Sequence, residues 1–318
     1  MSTVREHDPH PRPRPVRIVT ALAVSALLLA AALVAAPGAQ AATPAAVPPA
    51  AAPAAAPLAA VTSQGWNDWS CTPSAARPRP VVLVHGLGAS DGLNFGYLAP
   101  RLVAAGYCVF SQSYGQTFYP GVGGLAPIQD SAATLSAFVD RVRSETGSAK
   151  VDIVGHSEGS VVPAYYLKFL GGAPKVGTVI GFGSVYSGTT LLGLGTLASA
   201  VGFQPVLEAG GCTACSQLLQ GSPFLAELNA GGVAVPGPRY VSIISRLDAV
   251  VTPYTNGRLT GAPGADITNI TLQDYAPWDS AGHLGLAIDP NVASLVLHQL
   301  DPQNTPLAPP VPFTTVGI

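Results

Sequence analysis

The run Gly155-His156-Ser157-Glu158-Gly159 sets a serine between two glycines in a G-x-S-x-G pattern. A serine hydroxyl is a weak nucleophile at neutral pH. Chemistry at Ser157 therefore needs a base to take its proton and an acid to orient that base. The pattern alone is common, but its context is specific. The β-rich run Val151 to Gly155 leads into it, and a helical run to Leu170 leaves it. That is the strand–turn–helix setting in which a nucleophile elbow lifts its serine above a sheet. Pro163 is out of keeping, because it falls beyond the first turn of that helix, and a kink is expected there.

Four histidines follow the first 41 residues. His85 ends a strand and His156 directly precedes the serine. Neither points naturally at the hydroxyl, and both read as wall or turn residues. His298 falls within the last helix. His283 remains, in the loop Ala281-Gly282-His283-Leu284-Gly285 between the final strand and the final helix, and is the expected base. The acid is expected at a strand end between serine and histidine. Asp248, in Ser245-Arg246-Leu247-Asp248, follows such a strand at once. Asp266 stands at the wrong end of its strand, while Asp274 and Asp279 come after the last one. The oxyanion of an acyl-transfer intermediate needs preorganised N–H donors. The backbone N–H of Glu158 is one. The N–H of Leu87, in the turn His85-Gly86-Leu87-Gly88, is the expected second.

The elements that must position these residues alternate. Strands are expected at Pro80 to His85, Tyr107 to Gln112, Val151 to Gly155, Val176 to Phe182, Arg239 to Ser245 and Ile267 to Leu272. Helices are expected over 94–105, over 130–146 with Asp130 and Gly147 as caps, after Ser157, and from Asp289-Pro290 onward. Continuous apolar strands between helical patterns specify an α/β fold, with a mostly parallel central sheet and helices on both faces. Ligands of such sheets bind at the carboxyl ends of the strands.

The chain has 318 residues, of which 48% are hydrophobic and 10% charged. Its one apolar run of spanning length is N-terminal, which excludes a multi-span membrane protein. With no basic cluster beyond the first residues, a nucleic-acid partner is not expected. Arg12, Arg14 and Arg17 precede the uncharged stretch Ile18 to Ala36, and Ala39-Gln40-Ala41 fits a cleavage site, so residues 1–41 read as a signal peptide. The alternative is an uncleaved anchor. Residues 42–60 are an Ala/Pro-rich linker, and 61–318 the catalytic domain, with Trp66 and Trp69 as its first anchors. Within it, 188–235 is an apolar, Gly-rich insertion that could form an acyl pocket, a flap or a core-packed helix; 302–318 is a Pro-rich tail along the surface. Phe118, Tyr119 and Leu125 are further candidates for the pocket wall.

Four cysteines in an exported chain read as two disulfides, with three pairings open. Cys212 and Cys215 could close a tight loop, leaving Cys71 with Cys108. No Cys/His group has zinc-ligand spacing, and no metal or cofactor is called for.

The runs Val81 to Gly86, Val151 to Gly159, Ser245 to Val251 and Gly282 to Leu286 occur in one order and spacing. Together they resemble secreted bacterial lipases of the α/β-hydrolase superfamily, particularly the actinobacterial lipase class 2 group, across residues 65–300. The resemblance implies hydrolysis of carboxylic esters, often triacylglycerols. It implies Ser157, Asp248 and His283 as triad, with Leu87 and Glu158 as oxyanion donors. The contexts of Cys71, Cys108 and Cys212–Cys215 are also similar to that group, which supports the pairing above. Many lipases carry Met or Gln after the nucleophile, and this chain has Glu158. A carboxylate there could help expel a fatty-acid product; the plainer reading is a solvated or paired Glu favoured by the helix dipole.

The expected protein is thus a secreted triacylglycerol lipase. A shorter-chain esterase or polyesterase, an acyltransferase and a non-catalytic binding protein on the same scaffold are the alternatives. Its expected partners are an ester or lipid substrate and a transient lipid interface, with no obligate protein partner.

Overall fold

The run Val81–Val84 (β1) is apolar at every position because the sheet is covered on both faces. Val82 and Val84 join one core layer with Phe138, Val139, Val161 and Val162. Val81 and Leu83 join the other with Leu98, Leu102, Leu295 and Val296. The computed structural model describes residues 66–117, 121–190 and 210–315. The expected signal peptide 1–41, the linker 42–60, the wall candidates Phe118 and Tyr119, and the apolar residues between Leu191 and Phe203 lie outside the described residues.

β1 is joined by Val109–Ser111 (β2), Val151–His156 (β3), Val176–Phe182 (β4), Arg239–Ile244 (β5) and Asp266–Thr271 (β6). All neighbours pair parallel, in the order β2-β1-β3-β4-β5-β6. The chain moves outward from β1 to β2, then crosses back to β3 on the other side of β1. The carboxyl ends of β1 and β3 therefore flank the topological switch point, where α/β sheets open a binding crevice.

The helices are Asp91–Phe95 (α1), Leu98–Ala104 (α2), Ile128–Thr146 (α3), Glu158–Phe169 (α4), Thr213–Gln217 (α5), Pro223–Asn229 (α6), Leu272–Tyr275 (α7) and Pro290–Leu300 (α8). In α3 the stripe Leu135, Phe138, Val139 and Val142 is buried, and Gly147 ends the helix at φ 66°. Asp289 caps α8 by accepting from Asn291 and Val292 N–H, with Pro290 in the first turn. The structure departs from the sequence reading at two places. The helix expected over 94–105 is two, because Ser90 caps an earlier start and the chain bends at Gly96–Tyr97. Asp130 is not the cap of α3, which begins at Ile128 after Pro127. Pro163 lies inside α4, where the sequence reading put it, and the helix continues past it. Its missing N–H leaves the Gly159 carbonyl without its helical donor, and that carbonyl is turned toward Gly155.

The described part of the 188–235 insertion packs as core. Ala214, Leu218, Phe224, Leu225 and Leu228 are buried in the same layer as Tyr166 of α4. Cys71–Cys108 and Cys212–Cys215 are both disulfide-bonded. The first ties the entering segment to the start of β2, where the Trp69 ring also packs on Phe110 and Phe138.

Candidate active site

Ser157 follows the last residue of β3 and precedes the first of α4. Its φ of 56° and ψ of −122° are an unfavourable backbone for a residue with a Cβ. The turn is held because nothing else fits around it. A Cβ on Gly155 would lie 1.8 Å from the Gly159 carbonyl oxygen, and one on Gly159 would lie 1.9 Å from that of Val84. Ser157 N–H donates to Phe182 O at 3.0 Å, and Ser160 N–H closes back on Ser157 O at 2.9 Å. The hydroxyl is left half-buried at the carboxyl edge of the sheet.

Ser157 Oγ lies 2.9 Å from His283 Nε2, and His283 Nδ1 lies 2.8 Å from Asp248 Oδ2. Three residues spread over 126 positions thus form one hydrogen-bonded chain. The donor order that suits it is Ser157 O–H to Nε2, then Nδ1–H to the carboxylate. Asp248 uses its other oxygen to accept from Val250 N–H (2.9 Å) and Val251 N–H (2.7 Å), which fixes the carboxylate plane. Asp248 and His283 are both buried. The rival acids are elsewhere. Asp274 pairs with Arg246 at the surface. Asp266 begins β6 at the far end of the sheet. Asp279 accepts from Ala281 N–H and Asn291 Nδ2.

The turn after β1 lies beside the serine. A Cβ on Gly86 would sit 3.1 Å from Ser157 Cβ. Leu87 comes next on this turn, and Glu158 follows Ser157 at the start of α4; these are the two residues expected to offer oxyanion N–H donors. His85, buried behind this turn, donates Nδ1–H to Gly86 O at 2.9 Å and accepts Tyr114 N–H at Nε2. The neutral ring that this requires is favoured by burial, which lowers its pKa.

Several supporting residues escaped the sequence reading. Asn94 Oδ1 accepts from Gly86 N–H at 2.8 Å and lies 3.1 Å from His156 Nδ1. His156 Nε2 lies 3.1 Å from His283 O. His156 therefore bridges the Gly86 turn and the His283 loop. Burial, with the nearby His283, pushes its pKa down to about 3, so the neutral ring has one N–H and donates to one of these two oxygens. Ser245 Oγ donates to Ala281 O at 2.6 Å and accepts from Gln273 Nε2 at 2.9 Å. Gln273 also accepts from Arg246 N–H. Asn291 exchanges two hydrogen bonds with the backbone of Val311, and Ser280 N–H donates to Phe313 O. Residues 302–315 are exposed or half-buried, and they also fasten the loop that carries His283. None of these residues has a sequence signature; only Gln273 and Asn291, polar residues next to apolar runs, hint at burial.

Glu158 corrects the reading given to its side chain. It is neither solvated nor paired. It is fully buried, and neither carboxyl oxygen has a hydrogen-bond partner. Burial pushes its pKa well above the usual carboxylate range, which disfavours the charge invoked to expel a fatty acid.

Residues 78–278 match the family model described as Lipase (class 2). That span holds Ser157 and Asp248 and stops short of His283. A triacylglycerol lipase of Vibrio cholerae serotype O1 is 26% identical over 231 residues, 69% of this chain and 67% of that one. Among solved structures, Aspergillus fumigatus lipase B superposes with a TM-score of 0.59 at 18% identity. The match covers 73% of this chain and 54% of that one, so the chain spans about half the length of the Aspergillus protein. A Bacillus licheniformis lipase in its mature form superposes with a TM-score of 0.52 at 19% identity, over 72% of this chain and 94% of that one. Likeness at such identities speaks to the α/β-hydrolase fold.

Proposed function

The chain belongs to the lipase (class 2) family of carboxylic ester hydrolases, and from that premise we propose that it is a secreted triacylglycerol lipase working through an acyl-enzyme on Ser157. The observation that carries the reading is the chain Ser157 Oγ–His283 Nε2–Asp248 at 2.9 and 2.8 Å, mounted on a strained elbow beside two backbone donors. The curated relative that is a triacylglycerol lipase supports the substrate class. Two disulfides support a life outside the reducing cytosol.

Ser157 attacks the ester carbonyl as His283 Nε2 takes its proton. The oxyanion gathers the N–H groups of Leu87 and Glu158, and Asp248 stabilises the imidazolium through Nδ1–H. His283 returns the proton to the leaving alcohol. It then activates the water that releases the fatty acid. Neither metal nor cofactor has a part in these steps, and the partners are the ester and the lipid surface that presents it.

Purified residues 42–318 are expected to hydrolyse an emulsified triglyceride and long-chain p-nitrophenyl esters. Ser157→Ala is expected to lower kcat by about 10⁶-fold with an unchanged melting temperature. Retained activity in that variant would overturn the mechanism. Turnover of short acyl chains alone would replace lipase by esterase.

A further inference from the structure

Glu158 enters the reaction through its backbone N–H, and the steps above leave its side chain without a task. That side chain is 0% exposed, and Oε1 and Oε2 are both without a hydrogen-bond partner. Few positions make a buried carboxyl more costly, since an unpaired charge taken out of water is strongly opposed. The position is also specific. A Cβ placed on Gly124 would come within 2.5 Å of Glu158 Oε2, 3.1 Å of Leu87 Cα and 3.2 Å of Gly86 O. A glycine at position 124, at φ 73°, thus leaves open the space that a side chain would take from both the carboxyl and the Gly86–Leu87 turn.

That turn is also tied to the Gly123 segment. Gly88 N–H donates to Gly123 O at 2.9 Å, and Gly123 N–H donates to Ala89 O at 2.8 Å. The Gly86–Ala89 and Gly123–Gly124 segments thus form one two-layer wall, with the Glu158 carboxyl at its inner side.

The titratable groups around the carboxyl offer it no positive charge. From the segment after β2 comes Tyr114, whose hydroxyl donates to His85 O at 2.6 Å and whose pKa is held well up by burial and by Glu158. From the end of β1 comes His85, neutral for the reasons given above. Asp91 of α1 is engaged by Ser111 and Ser113. Residues 121–126 carry no titratable side chain. From the end of β3 comes His156, also neutral, and beyond it the His283–Asp248 pair.

We propose that the Glu158 side chain is a proton-dependent positioning residue: as a neutral acid it packs beneath the Gly86–Leu87 turn, and loss of its proton disables the oxyanion hole. The proposal rests on the reading of Ser157 as nucleophile with Leu87 and Glu158 as oxyanion donors. Two effects act together on ionisation. The new charge sits on the residue whose N–H must stabilise the developing oxyanion, and it opposes that charge across a site of low dielectric. The carboxylate also has no hydrogen-bond donor in place to receive its charge, so ionisation favours its movement toward water and a shift of the wall above it. Proton loss costs stability as well. A carboxyl whose folded pKa is raised stabilises the fold at low pH and loses that contribution as pH rises through the folded value.

The test compares wild type, Glu158→Gln and Glu158→Met, each normalised to its own activity at pH 7 and corrected with a Ser157→Ala blank. Gln keeps size and polarity, and Met keeps length without a titrating group. The wild-type kcat is expected to fall on an alkaline limb by about tenfold per pH unit. Both variants are expected to lose that limb. Melting temperature followed over the same range is expected to fall with rising pH in wild type and to stay level in the variants. Alkaline limbs and melting curves that run parallel in all three proteins would overturn the proposal. Absence of Ser157-dependent turnover in wild type would instead overturn the reading beneath it. If Glu158→Gln does not fold, Glu158→Met carries the comparison, and the wild-type melting curve still reports the proton.

Discussion

The turn that carries Ser157 and the loop that carries His283 meet at one hydrogen bond, yet they are held by opposite means. The serine turn is held by exclusion. Gly155, Gly159 and Gly86 bring backbone against backbone so closely that no Cβ fits at the first two. The histidine loop is held by attraction. Ser245, Gln273, Asp279 and Asn291 tether it through side-chain hydrogen bonds to β5, α7, α8 and the C-terminal tail. The first region is rigid because its alternatives are sterically closed. The second is rigid only while several polar pairs persist together, and each pair contributes on the order of 1 kcal/mol. A proton donor and a proton acceptor can thus be placed to a few tenths of an ångström by unrelated physics.

Substitutions can separate the two cases. Gly155→Ala drives a methyl to 1.8 Å from the Gly159 carbonyl oxygen, where only backbone could give way. It is expected to cost at least about 3 kcal/mol, read as loss of the cooperative melt together with activity. Gly285→Ala, at the end of the histidine loop, meets the Thr315 hydroxyl, which can turn aside, and should melt within a few degrees of wild type. Similar losses from both would erase the contrast.

A smaller effect is expected from Gln273→Ala, which removes the acceptor of Arg246 N–H and one donor to Ser245 Oγ while touching no reacting atom. Loosening the loop that orients His283 should lower kcat by up to about 10²-fold with KM little changed. The melting temperature should fall in step with about 1–3 kcal/mol of lost polar satisfaction. An unchanged kcat would mean that the loop does not need its tethers.

The smallest effect should come from Asp289→Asn. Asp289 Oδ1 caps α8 while Oδ2 has no partner, and burial with the nearby Asp279 raises its pKa from 3.8 to about 7. A raised acid stabilises the fold below pH 4 and loses that contribution as pH rises toward 7. Wild type should therefore lose melting temperature between pH 4 and 7 more steeply than Asp289→Asn, whose amide oxygen still caps the helix. Identical slopes would show that the Asp279–Asp289 pair does not bear on the loop.

The same contrast sorts what was legible in the chain. The elbow could be read because its determinants are consecutive: a β-rich run, two glycines, a serine and a helix start. The stripe of α3 and the Asp289-Pro290 start of α8 were legible for the same reason. Short α1 was not, since five residues carry too little periodicity to stand out. Asp130 misled because a good capping residue two positions inside a helix looks the same in sequence as one at its edge.

The sequence by itself determined the strands, the nucleophile turn, the order of serine, acid and base, and the residue that follows the nucleophile. These follow from local rules of sterics and spacing. Only the tertiary structure decided which aspartate faces His283, because Asp248, Asp274 and Asp279 differ by the partners that folding brings to them. It also decided that Glu158 is a buried, unpartnered acid whose charged form is disfavoured. A glutamate's charge depends on the water around it, and the Gly124 wall that removes that water arrives from more than thirty residues away in the chain.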